Sequence, residues 1–206
     1  MSKFLAPIHG WLFNKILLLE AIEKEIVFKF RNESLKKAHE TLVLEMGALL
    51  PDEPLENIID QSNIHGWLQK TIITCESRQA AFVKLILEAD KNNFEIIKDI
   101  YEKKGFEIGQ KMDQISRPKE GFDALNTVLL EGMPCDRVNG IIEDEDAKFV
   151  WKTQQCVHKK NWENNGVPVG MYYRFREAFS KGFVSNFKGF NYTYEIENQI
   201  HTIITV

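Results

Sequence analysis

The sequence predicts an α+β protein in which a helical N-terminal half packs with a small four-stranded antiparallel sheet of β-β-α-β-β order. Two observations favour this fold class. Apolar residues recur at helical spacing up to about residue 133, and after Met133 and Pro134 the pattern changes to the alternation that is typical of strands. With 206 residues, of which 44% are hydrophobic, the chain is long enough to bury a sizeable core.

About five helices are expected in the N-terminal half, enough to form a bundle. The first is the clearest, because apolar side chains follow one another at intervals of three and four from Ile8 to Phe30. Further helices are predicted up to residue 50, over residues 64–90 and 93–112, and from Pro118 onward. Pro54 is expected to open a short additional helix.

The C-terminal part is expected to contain two hairpins separated by a helix. Strands are predicted over residues 137–143 and 147–157, with an acidic turn between them, and over residues 190–196 and 200–206. The intervening helix starts near Pro168, ends near Asn186 and carries Phe175 and Phe179 at helical spacing. We expect a helical region, residues 1–92, and an α+β region, residues 93–206, to form one compact unit.

Composition narrows the class of partner. The formal net charge is −4 and the isoelectric point is near 5.8, so no electrostatic argument favours nucleic acid or an anionic membrane. Cys75, Cys135 and Cys156 are odd in number and irregularly spaced, which argues against a disulfide framework. The apolar runs are shorter than a membrane span. We therefore predict a cytoplasmic protein with a small-molecule partner, and a homo-oligomer is compatible with the sequence.

The segment from Trp151 to Trp162 carries the strongest chemical signal. On a strand, Cys156 and His158 would project from the same face, because side chains alternate between the two faces. Such a pair can be a nucleophile and its base, two ligands of a metal, or the polar rim of a pocket. Each also has a structural interpretation, since free cysteine is often buried and His158 can lie at a strand end.

A second signal is a repeated His-Gly-Trp triplet. It begins at His9 and again at His65, and each copy opens a predicted long helix. An internal duplication, two helix starts packed side by side, or a shared pocket would each explain the repeat. The sequence shows no further ligands for a metal bound by these two histidines alone, and helix-end packing is the favoured interpretation.

Short motifs of the C-terminal half occur in a recognisable order, at residues 104–109, 130–136, 151–162 and 172–183. In this order they resemble the L-2-amino-thiazoline-4-carboxylic acid hydrolase-like proteins, over about residues 93–206. The resemblance implies a helical part, a small sheet with a cysteine-bearing strand, an aromatic-rich helix and a closing hairpin. Val157 departs from the family pattern, which usually has Pro at this position.

The resemblance implies hydrolysis of a non-peptide C–N bond in a cyclic amidine, opening a 2-aminothiazoline ring to a carbamoyl-cysteine. Cys156 would then be the nucleophile, His158 the acid and base, and Asp136 the group that orients His158. Arg174 or Arg176 would bind the substrate carboxylate, and Trp162 would stack on the flat ring. The remaining residues expected near the substrate are Cys135 and Tyr172.

The sequence alone leaves open whether a metal is bound, and it leaves two functions other than hydrolysis open. No metal is assigned, but Cys135, Asp136, Cys156 and His158 offer the sulfur, nitrogen and oxygen ligands that zinc accepts. The arrangement of helices and sheet also resembles vinyl-reductase-type sensor domains, which suggests a non-catalytic module that binds a small molecule. An accessory subunit that docks through the N-terminal helices is a third possibility.

Overall fold

The computed structural model describes residues 5–206 and contains eight α-helices and four strands in this part of the chain. The helices before the sheet are α1 (Pro7–Lys29), α2 (Glu33–Met46), α3 (Leu55–Ile58), α4 (Ile64–Ala89), α5 (Asn93–Gly109) and α6 (Pro118–Val128). They are followed by β1 (Asn139–Asp144), β2 (Lys148–Thr153), α7 (Lys159–Glu163), α8 (Val169–Val184), β3 (Phe190–Glu195) and β4 (Ile200–Thr205).

The four strands form one antiparallel sheet in the order β1-β2-β4-β3. The central pair brings Trp151 of β2 opposite His201 of β4, and a bulge between Ile141 and Glu143 interrupts the pairing of β1 with β2. The predicted α+β class, the helical N-terminal part and the antiparallel sheet are therefore confirmed. Two helices, α7 and α8, lie between the hairpins where one was predicted.

The larger hydrophobic core joins the two predicted regions of the chain. It contains Ile22 and Phe82 from the helical region together with Phe149, Phe179 and Ile203 from the α+β region, all of them buried. A smaller core forms around Leu12, Ile16, Leu68 and Ile72, where α1 lies against α4. Burial of these apolar faces explains why the helical periodicity predicted the elements well.

Helix α8 lies close to α5 because glycine removes the side chains between them. A methyl group on Gly105 would overlap the carbonyl oxygen of Phe179, and one on Gly182 would overlap the carbonyl oxygen of Glu102. The two backbones therefore meet without an intervening layer. This fixes the face of α8 that carries Tyr172 and Arg176 toward the interior.

Across residues 5–206, no helix combines the length and the apolar character needed to cross a membrane.

Candidate functional site

The residues after β2 do not continue the strand. Strand β2 ends at Thr153, the chain bends over residues 155–158, and His158 immediately precedes α7. The prediction that Cys156 and His158 share one strand face is therefore wrong. Cys156 is exposed, whereas His158 is fully buried, because the bend turns the imidazole inward against α4.

His158 is held by a carboxylate from a helix that lies 82 residues earlier in the chain. Its Nδ1 lies 2.7 Å from Oε1 of Glu76, a buried residue of α4. The second oxygen of Glu76 accepts a hydrogen bond from the side-chain amide of Asn161, at 2.8 Å. Glu76 therefore orients the ring, which is the role that the sequence assigned to Asp136.

The opposite edge of the imidazole faces a second pair of charges. Arg176 of α8 binds the carboxylate of Glu131 and donates to the backbone oxygen of Leu130 at 2.7 Å. Nε2 of His158 lies 3.6 Å from Oε2 of Glu131 and 3.5 Å from Nη1 of Arg176. Glu76, His158, Glu131 and Arg176 form an alternating series of charges, which we call the His158 network.

The charges within this network shift each other's pKa. Burial by itself would lower the pKa of His158, but Glu76 and Glu131 outweigh it and raise that pKa to about 9. For Glu131 the directions are reversed. Burial by itself would raise the pKa of Glu131, but the positive charges of Arg176 and His158 outweigh it and lower that pKa to about 2. At neutral pH His158 and Arg176 are therefore cations and Glu131 is ionised.

Aromatic rings enclose the network on the side of α8. Tyr172 meets the His158 ring edge-on, with 4.9 Å between the centroids, and stacks on Trp162 at 4.3 Å. Trp162 and Tyr172 are both buried. Trp162 was predicted to stack on a substrate ring, but in this structure its face is covered by Tyr172. Both rings exclude water from the network and thereby strengthen its internal charge interactions.

One further cation lies beside the network. Lys15 of α1 is only 3% exposed, and its Nζ lies 3.5 Å from the centre of the Trp11 ring. Among residues 5–206, no carboxylate forms an ion pair with it. Burial lowers the pKa of Lys15 to about 8, although Glu131 acts in the opposite direction.

Lys15 forms part of the wall of a cleft of about 210 Å³, which we call the Lys15 cleft. Glu131 and Met133 line it from the segment after α6, and Arg137 and Asn139 from the approach to β1. The other lining residues are Trp11, Phe122, Asn126, Gly132, Pro134 and Val138. The cleft thus combines a mixed polar and apolar wall with charged groups of both signs.

Behind Lys15 there is a much smaller cavity of about 20 Å³. Lys15, Tyr101, Tyr172 and Arg176 contribute its polar groups, and leucines and Phe179 of the core surround the remainder. This volume is enough for about one water molecule. Lys15 therefore lines both the cleft and this cavity.

Cys156 lies near the cleft but is not paired with His158. The segment that carries it packs on the cleft wall, since a methyl group on Gly132 would lie 3.2 Å from the side chain of Val157. The hydroxyl of Tyr173 is buried beside the Cys156 thiol. Burial raises the pKa of that hydroxyl, and the neighbouring Cys156 thiol adds to the rise.

The other predicted site residues lie apart from the network. Asp136 accepts a hydrogen bond from the backbone N–H of Met133 at 2.8 Å and so stabilises a turn. Cys135 is exposed. Arg174 is half exposed and pairs with Glu177 on its own helix at 3.1 Å, whereas Arg176 is buried in the network. No group of three or more metal-ligating side chains comes together in residues 5–206, and this includes the four residues considered as zinc ligands.

The sequence interpretation missed Lys15, Glu76 and Glu131. The sequence does carry a signal for Lys15 and Glu76, because each is a charged residue within the apolar stripe of its helix. Lys15 lies between Leu12 and Leu19 on α1, and Glu76 lies between Ile72 and Ala80 on α4. A charge at such a buried position needs a partner and therefore marks a candidate site. Glu131 lies in an irregular segment and carries no comparable signal.

Comparison with protein-family models, with curated proteins and with solved structures found no match for this chain.

Proposed function

We propose that this protein binds a small carboxylate-bearing molecule in the Lys15 cleft, with the carboxylate against the Lys15 ammonium. The observation that carries the proposal is a buried lysine that faces a cleft without a carboxylate partner of its own. A buried ammonium is costly unless an anion accompanies it. A ligand carboxylate would supply that anion.

The charges around the cleft support this assignment. In the His158 network the carboxylates of Glu76 and Glu131 are balanced by His158 and Arg176, although Glu131 also attracts the Lys15 ammonium. Lys15 is the additional positive charge, and Arg137 adds another to the cleft wall. The cleft therefore attracts an anion.

The position of Glu131 narrows the ligand class further. Glu131 lines the same cleft as Lys15, and Arg176 and His158 hold it ionised. A ligand with a carboxylate at one end and a cationic nitrogen at the other would complement both residues. The cleft is smaller than the roughly 300–1,000 Å³ typical of pockets for drug-sized molecules, which favours a ligand about the size of an amino acid. The cyclic amidine L-2-aminothiazoline-4-carboxylate has this charge pattern.

Calorimetric titration with L-2-aminothiazoline-4-carboxylate tests the proposal. The unaltered chain is expected to bind it, and Lys15→Met is expected to weaken binding at least about 10-fold, because a charge-assisted hydrogen bond is worth about 1.5–3 kcal/mol. Methionine retains the length and the apolar stem, so the fold should persist. Lys84→Met on an exposed face of α4 is the matched control and should bind like the unaltered chain. Equal binding by Lys15→Met would refute the assignment.

Hydrolysis of the bound molecule is the second candidate function, with Cys156 as the nucleophile. Two observations favour it: Cys156 is exposed near the cleft wall, and the buried hydroxyl of Tyr173 lies beside its thiol. Attack of the Cys156 thiolate on the amidine carbon would break the ring C–N bond as water protonates the departing nitrogen, and a second water would displace the thiolate and release S-carbamoyl-cysteine. His158 would not exchange a proton with the substrate directly, because its ring is buried and bonded to Glu76.

Mass spectrometry of carbamoyl-cysteine formation separates the two functions. If the protein is a hydrolase, Cys156→Ser should abolish product formation while leaving ligand binding intact, and Cys135→Ser, the other exposed thiol, should retain turnover. Binding without any product in the unaltered chain would instead support the non-catalytic binding module.

A further inference from the structure

The two His-Gly-Trp triplets meet in space. His9 lies in the first turn of α1 and His65 in the first turn of α4, and these helices start side by side. Their Nε2 atoms are 3.3 Å apart, whereas their ring centres are 5.4 Å apart. The rings therefore approach each other through their nitrogen edges, 56 residues apart in sequence.

We propose that His9 and His65 together bind a divalent transition-metal ion such as Zn²⁺. Imidazole nitrogens bind zinc at about 2.0–2.1 Å in tetrahedral geometry, which places two ligand nitrogens about 3.3 Å apart. The observed separation of the Nε2 atoms already has this value. The side chains would need little movement to exchange their mutual contact for a shared metal ion.

The protonation of the pair is compatible with metal binding. Two Nε2 atoms at 3.3 Å share at most one proton comfortably, so at least one nitrogen points a lone pair into the gap. Both residues lie in the first turn of a helix, whose partial positive charge weakens the attraction for a cation, so we expect moderate rather than tight affinity.

The surroundings leave room for the remaining metal ligands. His65 is exposed, and the space next to Gly10 is open, with no atom within 4 Å of where a methyl group would be. Residues 5–206 contribute no third histidine, cysteine or carboxylate ligand at this place. Water would complete the coordination, as at sites that keep an open position for an exchangeable ligand. This site lies outside the lining of the Lys15 cleft and does not depend on the proposed function.

Calorimetric titration of the tag-free, chelator-treated full chain with Zn²⁺ tests the inference. We expect one metal ion per chain. His9→Ala and His65→Ala are each expected to weaken binding at least about 10-fold, since even the loss of an outer-sphere partner typically costs 10–100-fold. Lys70→Ala, an exposed change on the second turn of α4, is the matched control and should bind as the unaltered chain does.

A second series removes the competing thiols. In the Cys135→Ser and Cys156→Ser double variant the histidine site should still bind one Zn²⁺ ion. Absence of binding in the unaltered chain, or unchanged binding when both histidines are replaced, would overturn the inference. Binding that disappears with the two cysteines and survives loss of the histidines would place the metal elsewhere and overturn it equally.

Discussion

Replacing Arg78 by Met is expected to lower the free energy of unfolding by about 3–5 kcal/mol. Arg78 is fully buried on α4, and its guanidinium donates to Glu20 and Glu23 of α1, each at 2.7 Å. It also donates to the backbone oxygens of Gly47 and Ala48 at 2.8 and 3.2 Å. The substitution leaves Glu20 and Glu23 buried without the guanidinium, and among residues 5–206 only Glu23 retains a side-chain partner, His39 at 2.8 Å. The measurement is urea unfolding followed by circular dichroism.

Two comparisons identify the cause of this loss. Adding Glu20→Gln and Glu23→Gln to Arg78→Met removes the uncompensated charges and should recover part of the lost stability. Lys37→Ala breaks an exposed ion pair with Glu33 and should leave the unfolding midpoint unchanged. If Arg78→Met unfolds at the same urea concentration as the unaltered chain, the ion pairs of Arg78 with Glu20 and Glu23 do not hold α1 and α4 together.

The second large effect concerns pH. The free energy of unfolding is expected to fall by about 1.5 kcal/mol between pH 6.5 and pH 8, through His158. Its pKa is about 9 in the folded protein and 6.5 as the ordinary value, so the folded state retains a proton that the unfolded chain releases. The stabilisation is complete below pH 6.5 and is lost as the pH rises toward 9.

The titration of Lys15 limits the pH range in which the effect of His158 on stability can be measured. Its pKa is lowered from 10.5 to about 8, so its contribution runs in the opposite sense and stability is regained as the pH rises from 8 to 10.5. The decline should therefore be visible from pH 6.5 to 8 and flatten above that. In His158→Gln the decline should disappear, whatever the overall stability of the variant. The same slope in urea unfolding of both proteins would contradict a charged His158.

Local patterns were sufficient to predict most elements of the fold. Apolar spacing placed the first helix between Ile8 and Phe30, and α1 extends over Pro7–Lys29. Prolines marked the starts of α3 and α6, and the final hairpin agrees with β3 and β4 to within one residue at each end. These elements follow from periodicities that act over a few neighbouring residues.

The site depended on contacts that no local pattern encodes. The predicted strand over residues 147–157 continued four residues beyond Thr153, where β2 ends. The chain turns there because His158 reaches Glu76, 82 residues earlier in the sequence, and Trp162 becomes buried behind it. The expected strand alternation drew attention to Cys156 and His158, but neither it nor the resemblance indicated Glu76, Glu131 or Lys15, which supply the charges around them.

The most direct measurement of the central claim is the titration of Lys15 itself by NMR, with ¹³C-labelled lysine and the Lys15 Cε signal assigned from its absence in Lys15→Met. In the free protein we predict an apparent pKa of about 8. Saturation with L-2-aminothiazoline-4-carboxylate should raise it, because a bound carboxylate favours the charged ammonium. A pKa near the ordinary 10.5 in the free protein, or no change on adding the ligand, would contradict a buried anion-binding lysine.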